Sequence, residues 1–278
     1  MLQARSTIPV QNAKHLLDQL CEHFAEHGEV AYAADRGRIR FDHGTVVMER
    51  QGEALQVEVE AENAIYLSYL KIGVTEHLDE FHEGDTPDVF WHGDSLPAGS
   101  PLPWFRELEV IGSQTLAPRM RRIRFRGENL QHFATGGYHV HLVFPPKDRE
   151  PVWPVMGESG LPVWPQGEDA LTRRIYTIRN IDAERGELDV DIVLHEGDDT
   201  PGSSFAIGAR AGDRVGISGP GGGEAPDASN LVLLGDETAL PAIARILEAL
   251  KPDARALAIV EVDGPEDEIT LRSPAALD

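Results

Sequence analysis

The segment Arg173-Arg174-Ile175-Tyr176-Thr177-Ile178-Arg179 puts a guanidinium, a phenol ring and a hydroxyl within four residues. Side chains alternate along a strand, so Arg174 and Tyr176 share a face. A guanidinium fork donates to two oxygens at once, which suits a diphosphate. An aromatic ring two residues on can stack on a flat heterocycle. Thr177 offers a hydroxyl and a backbone N–H to a flavin ring nitrogen. The pattern by itself fits equally well an ordinary strand with a surface arginine and a core tyrosine.

Other groups of this kind flank it. Asp191-Ile192-Val193-Leu194-His195 is followed by Gly202-Ser203-Ser204, just before a short helical stretch, Phe205-Ala206-Ile207. Small residues at a helix N-terminus make an anion cradle, and they also make a simple N-cap. Gly219-Pro220-Gly221-Gly222-Gly223 allows close backbone approach. It lacks the dinucleotide fingerprint, and a tight interdomain turn explains it equally. Asp236, Glu237 and Thr238 lie where a strand gives way to a helix, the ligand edge of open α/β sheets. Asp236 or Thr238 serves equally as a helix cap. His139 and His141 share a strand face, but no third metal ligand stands near them, so no metal site is assigned.

These residues need a scaffold, and the hydrophobic patterning outlines three. Residues 1–94 read as a small α+β domain. Asn12 is placed to cap a helix bearing Leu16, Leu17, Leu20 and Phe24. Strands are expected at Arg38 to Phe41, Thr45 to Arg50 and Leu55 to Val59, and a second helix near Glu62 to Glu80. Residues 95–103 hold three prolines and a glycine and read as a stiff linker. Residues 104–225 contain six strand patterns with few helices, which predicts a six-stranded antiparallel β-barrel. Asp182 to Gly186 reads as a hairpin turn. Pro145 to Gln166 reads as a long loop over one barrel end, anchored by Trp153 and Trp164. Residues 226–278 begin with the apolar run Leu231 to Leu234, expected to be buried on both faces. A helix and a second strand follow, giving a partial α/β, Rossmann-like domain. One βαβ unit does not bury both faces of a sheet, so this third domain reads as incomplete.

The bulk composition narrows the function. The 278 residues carry 25 Lys plus Arg against 47 Asp plus Glu, a net charge of −22. Such a surface repels phosphate backbones and anionic lipids, which argues against a nucleic-acid partner. The single cysteine, Cys21, forms no internal disulfide and rules out a Cys-rich cluster within this chain. No apolar run is long enough for an integral membrane segment, and no signal peptide is evident, so the expectation is a cytoplasmic protein.

Taken in order, His139 to Pro145, Arg174 to Arg179, Asp191 to His195, Gly219-Pro220 and Gly235 to Ala242 resemble the siderophore-interacting protein family. That family comprises FAD-dependent ferric-siderophore reductases of ferredoxin-reductase-like fold. The resemblance runs from about Glu107 to the end of the chain. Residues 1–94 resemble a small bacterial domain of unknown function. The resemblance implies a flavin-dependent oxidoreductase. Arg174, Tyr176 and Thr177 would hold the flavin and its phosphate. Asp191, His195, Gly202, Ser203 and Ser204 would hold the rest of FAD. Asp236, Glu237 and Thr238 would face the nicotinamide of NAD(P)H. Electrons from NAD(P)H, or from ferredoxin as partner, would reduce the Fe(III) of a ferric-siderophore and release Fe(II). Arg119, Arg121, Arg122 and Arg124, with His139 and His141, are candidates for a basic patch that receives the anionic substrate. The family usually reads Gly-Pro-Ala-Ser where this chain has Pro201-Gly202-Ser203-Ser204, and it continues beyond Asp278, so a shortened nucleotide domain is expected. Two alternatives stand beside this reading: a non-catalytic flavin-binding or regulatory module, and a general flavin reductase with another acceptor.

Overall fold

The computed structural model describes residues 1–82, 84, 87–147, 149–195 and 200–278. It divides into two units. One holds Met1–Pro103 with Pro154–Trp164, and the other holds Trp104–Trp153 with Pro165–Asp278.

The first unit is an α+β layer. Strand β1 (Leu2–Pro9) precedes helix α1 (Ala13–Phe24), then come β2 (Glu29–Ala33), β3 (Arg36–Phe41), β4 (Gly44–Arg50), β5 (Ala54–Ala61), helix α2 (Ala64–Phe81) and the short β6 (His92–Gly93). The strands form one sheet in the order β2-β3-β4-β5-β1-β6. Alternation along each strand sends Ile39, Val46, Met48, Val57 and Val59 to one face, where they meet Leu17, Leu20, Leu70 and Val74 of the helices. The sequence reading missed β1 and β2; β1 has polar Gln3, Arg5 and Thr7 on its open face. Asn12 was expected to cap α1 but does not. It adopts a left-handed conformation (φ 54°) with no side-chain cap, because capping needs an extended backbone. Asn63 meets that requirement at α2, where its Oδ1 accepts from the N–H groups of Ile65 and Tyr66, both at 3.0 Å. Burial pushes the Cys21 thiol up to about 11, which leaves it unreactive at neutral pH.

The second unit opens with β7 (Phe105–Ala117), β8 (Met120–Gly127) and β9 (His139–Phe144). The chain then makes an excursion through the short hairpin β10 (Val155–Met156) and β11 (Pro162–Val163). The tip of this stretch belongs to the first unit, not to the barrel as expected, whereas its start stays on the barrel, where Trp153 packs on Phe105 and donates to Glu107. Val155 bridges Pro101, Met156 N–H donates to Ser100 at 2.9 Å, and Trp91 N–H donates to Ser159 at 2.9 Å. Part of the expected linker is therefore hydrogen-bonded to a hairpin from later in the sequence.

The chain continues with β12 (Thr172–Asp182), β13 (Glu187–Val193), helix α3 (Pro201–Gly208) and β14 (Arg214–Gly221). Strands β12-β13-β8-β7-β14-β9 close into the six-stranded antiparallel barrel read from the sequence. Its interior is filled by Leu108, Ile123, Phe125, Leu142, Val190 and Ile217. The β12–β13 turn is set by Asp182, whose carboxylate accepts from Arg185 N–H at 3.0 Å, and by Gly186 at φ 67°.

Last come β15 (Asn230–Asp236), helix α4 (Leu240–Ala249), β16 (Arg255–Glu261) and β17 (Ala276–Leu277), a short parallel sheet. Here the expectation of a strand buried on both faces fails. Leu231 and Leu233 pack towards α4, but Val232 and Leu234 are 64% and 67% exposed. Among the described residues one helix covers one face of this sheet, so the apolar run is half buried. No described helix is long and apolar enough to cross a membrane.

Candidate cofactor site

A cleft of about 420 Å³ opens in the second unit where the start of β12, the end of β13, the first turn of α3 and the start of α4 converge. The residues first singled out in the sequence form one wall. Arg174 is exposed, and its guanidinium donates to the Arg173 carbonyl at 2.9 Å. It makes no ion pair among the described residues, in a chain rich in carboxylates. Tyr176 is half-buried, packs edge-on to Phe144 and has its hydroxyl pushed above the usual range by burial. Thr177 is buried, and its Oγ1 lies 3.2 Å from Nδ1 of His139, the residue opposite it on β9.

The facing wall is the start of α3. It explains the glycine at 202: a Cβ there would overlap the Tyr176 hydroxyl and ring. Pro201 lies at the first helical position, where its missing N–H costs nothing. The sequence reading put Gly202, Ser203 and Ser204 ahead of the helix; they form its first turn instead. Ser203 Oγ accepts from His195 N–H at 3.0 Å and donates to the His195 carbonyl at 3.1 Å, tying α3 to the chain leaving β13. His195 and Ser203 both line the cleft, whereas Ser204 is not among its lining residues.

Asp191 also lines the cleft, but its carboxylate is held by a bidentate pair with Arg122, at 2.6 and 2.7 Å. This pair is one rung of a ladder across β8 and β13 that also joins Arg124 to Asp189 and Arg126 to Glu187. Directly opposed unlike charges stabilise such strand pairs. The ladder corrects the expected basic patch. Arg122 and Arg124 are neutralised by it, Arg119 pairs with Glu237 and Asp263, and Arg121 donates to Ser113 Oγ at 2.8 Å and the Ile207 carbonyl at 3.3 Å. His139 lines the cleft, and the His141 imidazole is held below its usual pKa by burial and then by the charge of Arg173.

The turn into α4 and the helix's first turn supply the third side through Thr238 and Pro241. Asp236 does not reach the cleft. Its Oδ1 accepts from the Thr238 hydroxyl at 2.6 Å and the Thr238 N–H at 2.8 Å, which holds its carboxyl below the usual range. Glu237 is turned to Arg119 at 3.4 Å. The helix is fastened to the barrel by Arg179, which donates to both Glu248 oxygens at 2.6 and 2.9 Å. Arg245 adds a bond of 2.9 Å to the Ile178 carbonyl and lies 3.8 Å above the Tyr138 ring.

The cleft therefore gathers Arg174, Tyr176, Thr177, Asp191, His195, Gly202, Ser203 and Thr238, and leaves out Ser204, Asp236 and Glu237. It adds His139, Ile175 and Pro241, which no local pattern marked as cofactor contacts. The pairing of His139 with Thr177 depends on the β9–β12 register, which does not show in either segment alone.

Residues 109–224 match the family described as siderophore-interacting FAD-binding domain, and residues 228–278 match the one described as siderophore-interacting protein. The solved structure of the siderophore-interacting protein SipS from Aeromonas hydrophila is 34% identical, covering 64% of this chain and 67% of that one, with a TM-score of 0.53. The chain belongs to the siderophore-interacting protein family. An uncharacterised protein of Mycobacterium tuberculosis is 38% identical over 192 residues, which is 65% of each chain. The ferric vibriobactin reductase ViuB of Vibrio cholerae is 32% identical over 176 residues, 61% of this chain and 63% of that protein. The chain thus spans just under two thirds of the length of these curated relatives. Residues 5–92 match a family of uncharacterised proteins conserved in bacteria.

Proposed function

We propose that this chain is an FAD-dependent reductase that passes electrons from NAD(P)H or ferredoxin to the Fe(III) of a ferric-siderophore, releasing Fe(II). The observation that carries the reading is the Arg174–Tyr176–Thr177 wall facing Gly202. An arginine without an ion pair among the described residues, an aromatic ring and a glycine meet in one cleft. Those features fit a ligand with a diphosphate and a flat ring system. Membership of a family with an FAD-binding domain supports the choice of FAD. The relative named a ferric vibriobactin reductase supports the choice of substrate class.

When bound, FAD would supply the redox chemistry, taking electrons from the donor and giving them up to iron. The protein's own part is placement. Arg174 would bind phosphate oxygens, together with the N–H groups of the first turn of α3. Tyr176 would pack on the ring system and exclude water. Thr177, oriented by His139, would present its hydroxyl and N–H to the ring edge. Asp191 would act through Arg122, and Ser203 through His195, to keep the walls in register. Asp236 and Glu237 would act at a distance by shaping the turn into α4, leaving Thr238 to face the nicotinamide side.

The test is direct. The purified chain should take up FAD and turn yellow. Anaerobic NADH, NADPH or reduced ferredoxin should bleach it, and a ferric-siderophore should then yield Fe(II), trapped by a ferrous chelator. Protein that stays colourless in excess FAD would sink the proposal. The pairing of Arg119, Arg122 and Arg124 with carboxylates favours one second reading, a flavin reductase with a different acceptor, because it removes the expected docking charges. Bleaching by a donor without Fe(II) release would select that reading.

A further inference from the structure

The sheet of the first unit buries one face under α1 and α2 and leaves the other exposed. Among the lysines and arginines of this unit, Lys14 pairs with Asp18, Arg50 pairs with Asp35, and Lys71 is buried. The remaining arginines, Arg5, Arg36, Arg38 and Arg40, all stand on the open face, because their neighbours Ala4, Ser6, Gly37 and Ile39 point to the helices. None of the four makes an ion pair among the described residues.

The strand register lines up one row across this face. Arg38 is opposite Val47, Val47 opposite Glu58, Glu58 opposite Arg5, and Arg5 opposite His92. Directly opposed unlike charges such as Arg5 and Glu58 ordinarily pair. Here Glu58 accepts from Gln56 Nε2 at 3.2 Å instead, and both charged heads stay available. The other carboxylates beside this row, Glu60 and Asp94, are engaged by Gln3, at 2.6 and 2.8 Å, while Glu49 lies a row away opposite Arg36. Short Thr45 and Val47 on β4 lie between the long arginines and glutamates. The result is a cleft of about 590 Å³, within the usual size of small-molecule sites. In sequence it offers a cation and an anion, neither in an ion pair among the described residues, on either side of Val47.

We propose that this open face binds a short peptide or peptide-like zwitterion, with its carboxylate on Arg38 and its ammonium on Glu58. Neighbouring strands are about 4.8 Å apart, so Arg38 and Glu58 stand on strands about 10 Å apart. An extended tripeptide spans about that length. Val47 lies beneath its middle. A purely anionic ligand fits less well, because Glu58 sits between the two guanidinium groups.

The experiment is calorimetric titration of trialanine into the full chain. The expected result is saturable binding with Kd of about 1 mM or tighter. N-acetylation or C-amidation of the peptide should each weaken binding at least about tenfold, as should Arg38→Gln and Glu58→Gln. Arg36→Gln, one row away and outside the cleft, should leave binding unchanged. The capped peptides make the same test on the unaltered protein, whatever the variants do to folding. No saturable binding, equal binding of a doubly capped peptide, or tighter binding of citrate than of trialanine would each overturn the proposal. The site lies in the other unit from the cofactor cleft, so the outcome does not depend on flavin uptake.

Discussion

At the level of single residues, Arg174 is the most exposed test of the cofactor reading. Charge-assisted hydrogen bonds contribute about 1.5–3 kcal/mol. Arg174→Ala should therefore weaken FAD retention roughly ten- to a hundredfold, with little change in melting temperature, since the side chain is exposed. Fluorescence titration of FAD measures it; unchanged affinity would remove Arg174 from the site. Gly202→Ala probes the opposite wall. The added methyl must displace Tyr176, so FAD affinity should fall while far-UV circular dichroism stays the same. Retained affinity would show that Tyr176 can move aside without loss. Lys71, 1% exposed, is an independent case. Its ammonium has Ser95 Oγ at 3.4 Å as a partner, and burial lowers its pKa from the usual 10.5. Folding therefore favours the neutral amine. The cost is absent above pH 10.5, grows as pH falls towards the lowered folded-state value, and is constant below it. Lys71→Met should raise the melting temperature at pH 7 by several degrees, for about 1–3 kcal/mol, and the gain should shrink as pH approaches 10.5. An equal gain at every pH would contradict this. Arg174, Tyr176 and Thr177 were legible in the sequence because they lie on one strand and their types carry the chemistry. The need for glycine at 202 was not, because the group that forbids a Cβ comes from 26 positions earlier.

At the level of elements, the barrel was readable because each strand carries its own alternation and two of its pairings, β7 with β8 and β12 with β13, are hairpins. What surrounds those strands was less readable. The hairpin β10–β11 was misplaced because Val155 and Met156 bond to residues 99–101, a pairing that neither segment signals. The β15 run looked buried on both faces because four apolar residues in a row carry no period, and only α4 in place distinguishes Leu233 from Val232. The charge ladder of β8 and β13 turned candidate substrate-binding arginines into structural ones, for the same reason: register is a property of pairs. Helix α4 depends on two arginine contacts to β12 and to the Tyr138 ring. Arg245→Ala removes the bond to the Ile178 carbonyl and the cation–π contact, worth about 1–2 kcal/mol together. Amide exchange in α4 should speed up several-fold while the barrel strands stay protected. Unchanged exchange in α4 would show that Arg179 and Glu248 hold the helix without Arg245.

At the level of the whole molecule, the two units present separate clefts. One displays an open, charged sheet face; the other closes a barrel and sets a short parallel sheet against it. The family likeness covers the second, whereas the first matches a family of uncharacterised proteins conserved in bacteria. The acidic balance of the chain makes the arginines that lack ion pairs informative, because carboxylates are plentiful. Among the described residues, those lining the two clefts are Arg174 in one and Arg5 and Arg38 in the other. The central claim is that the cleft lined by Arg174, Tyr176 and Thr177 holds FAD. Stoichiometric titration of FAD into the full chain, followed by flavin absorbance and fluorescence, tests it most directly. Saturation at one FAD per chain is expected, with loss of tight binding in Arg174→Ala. An unaltered chain that takes up no FAD would contradict it.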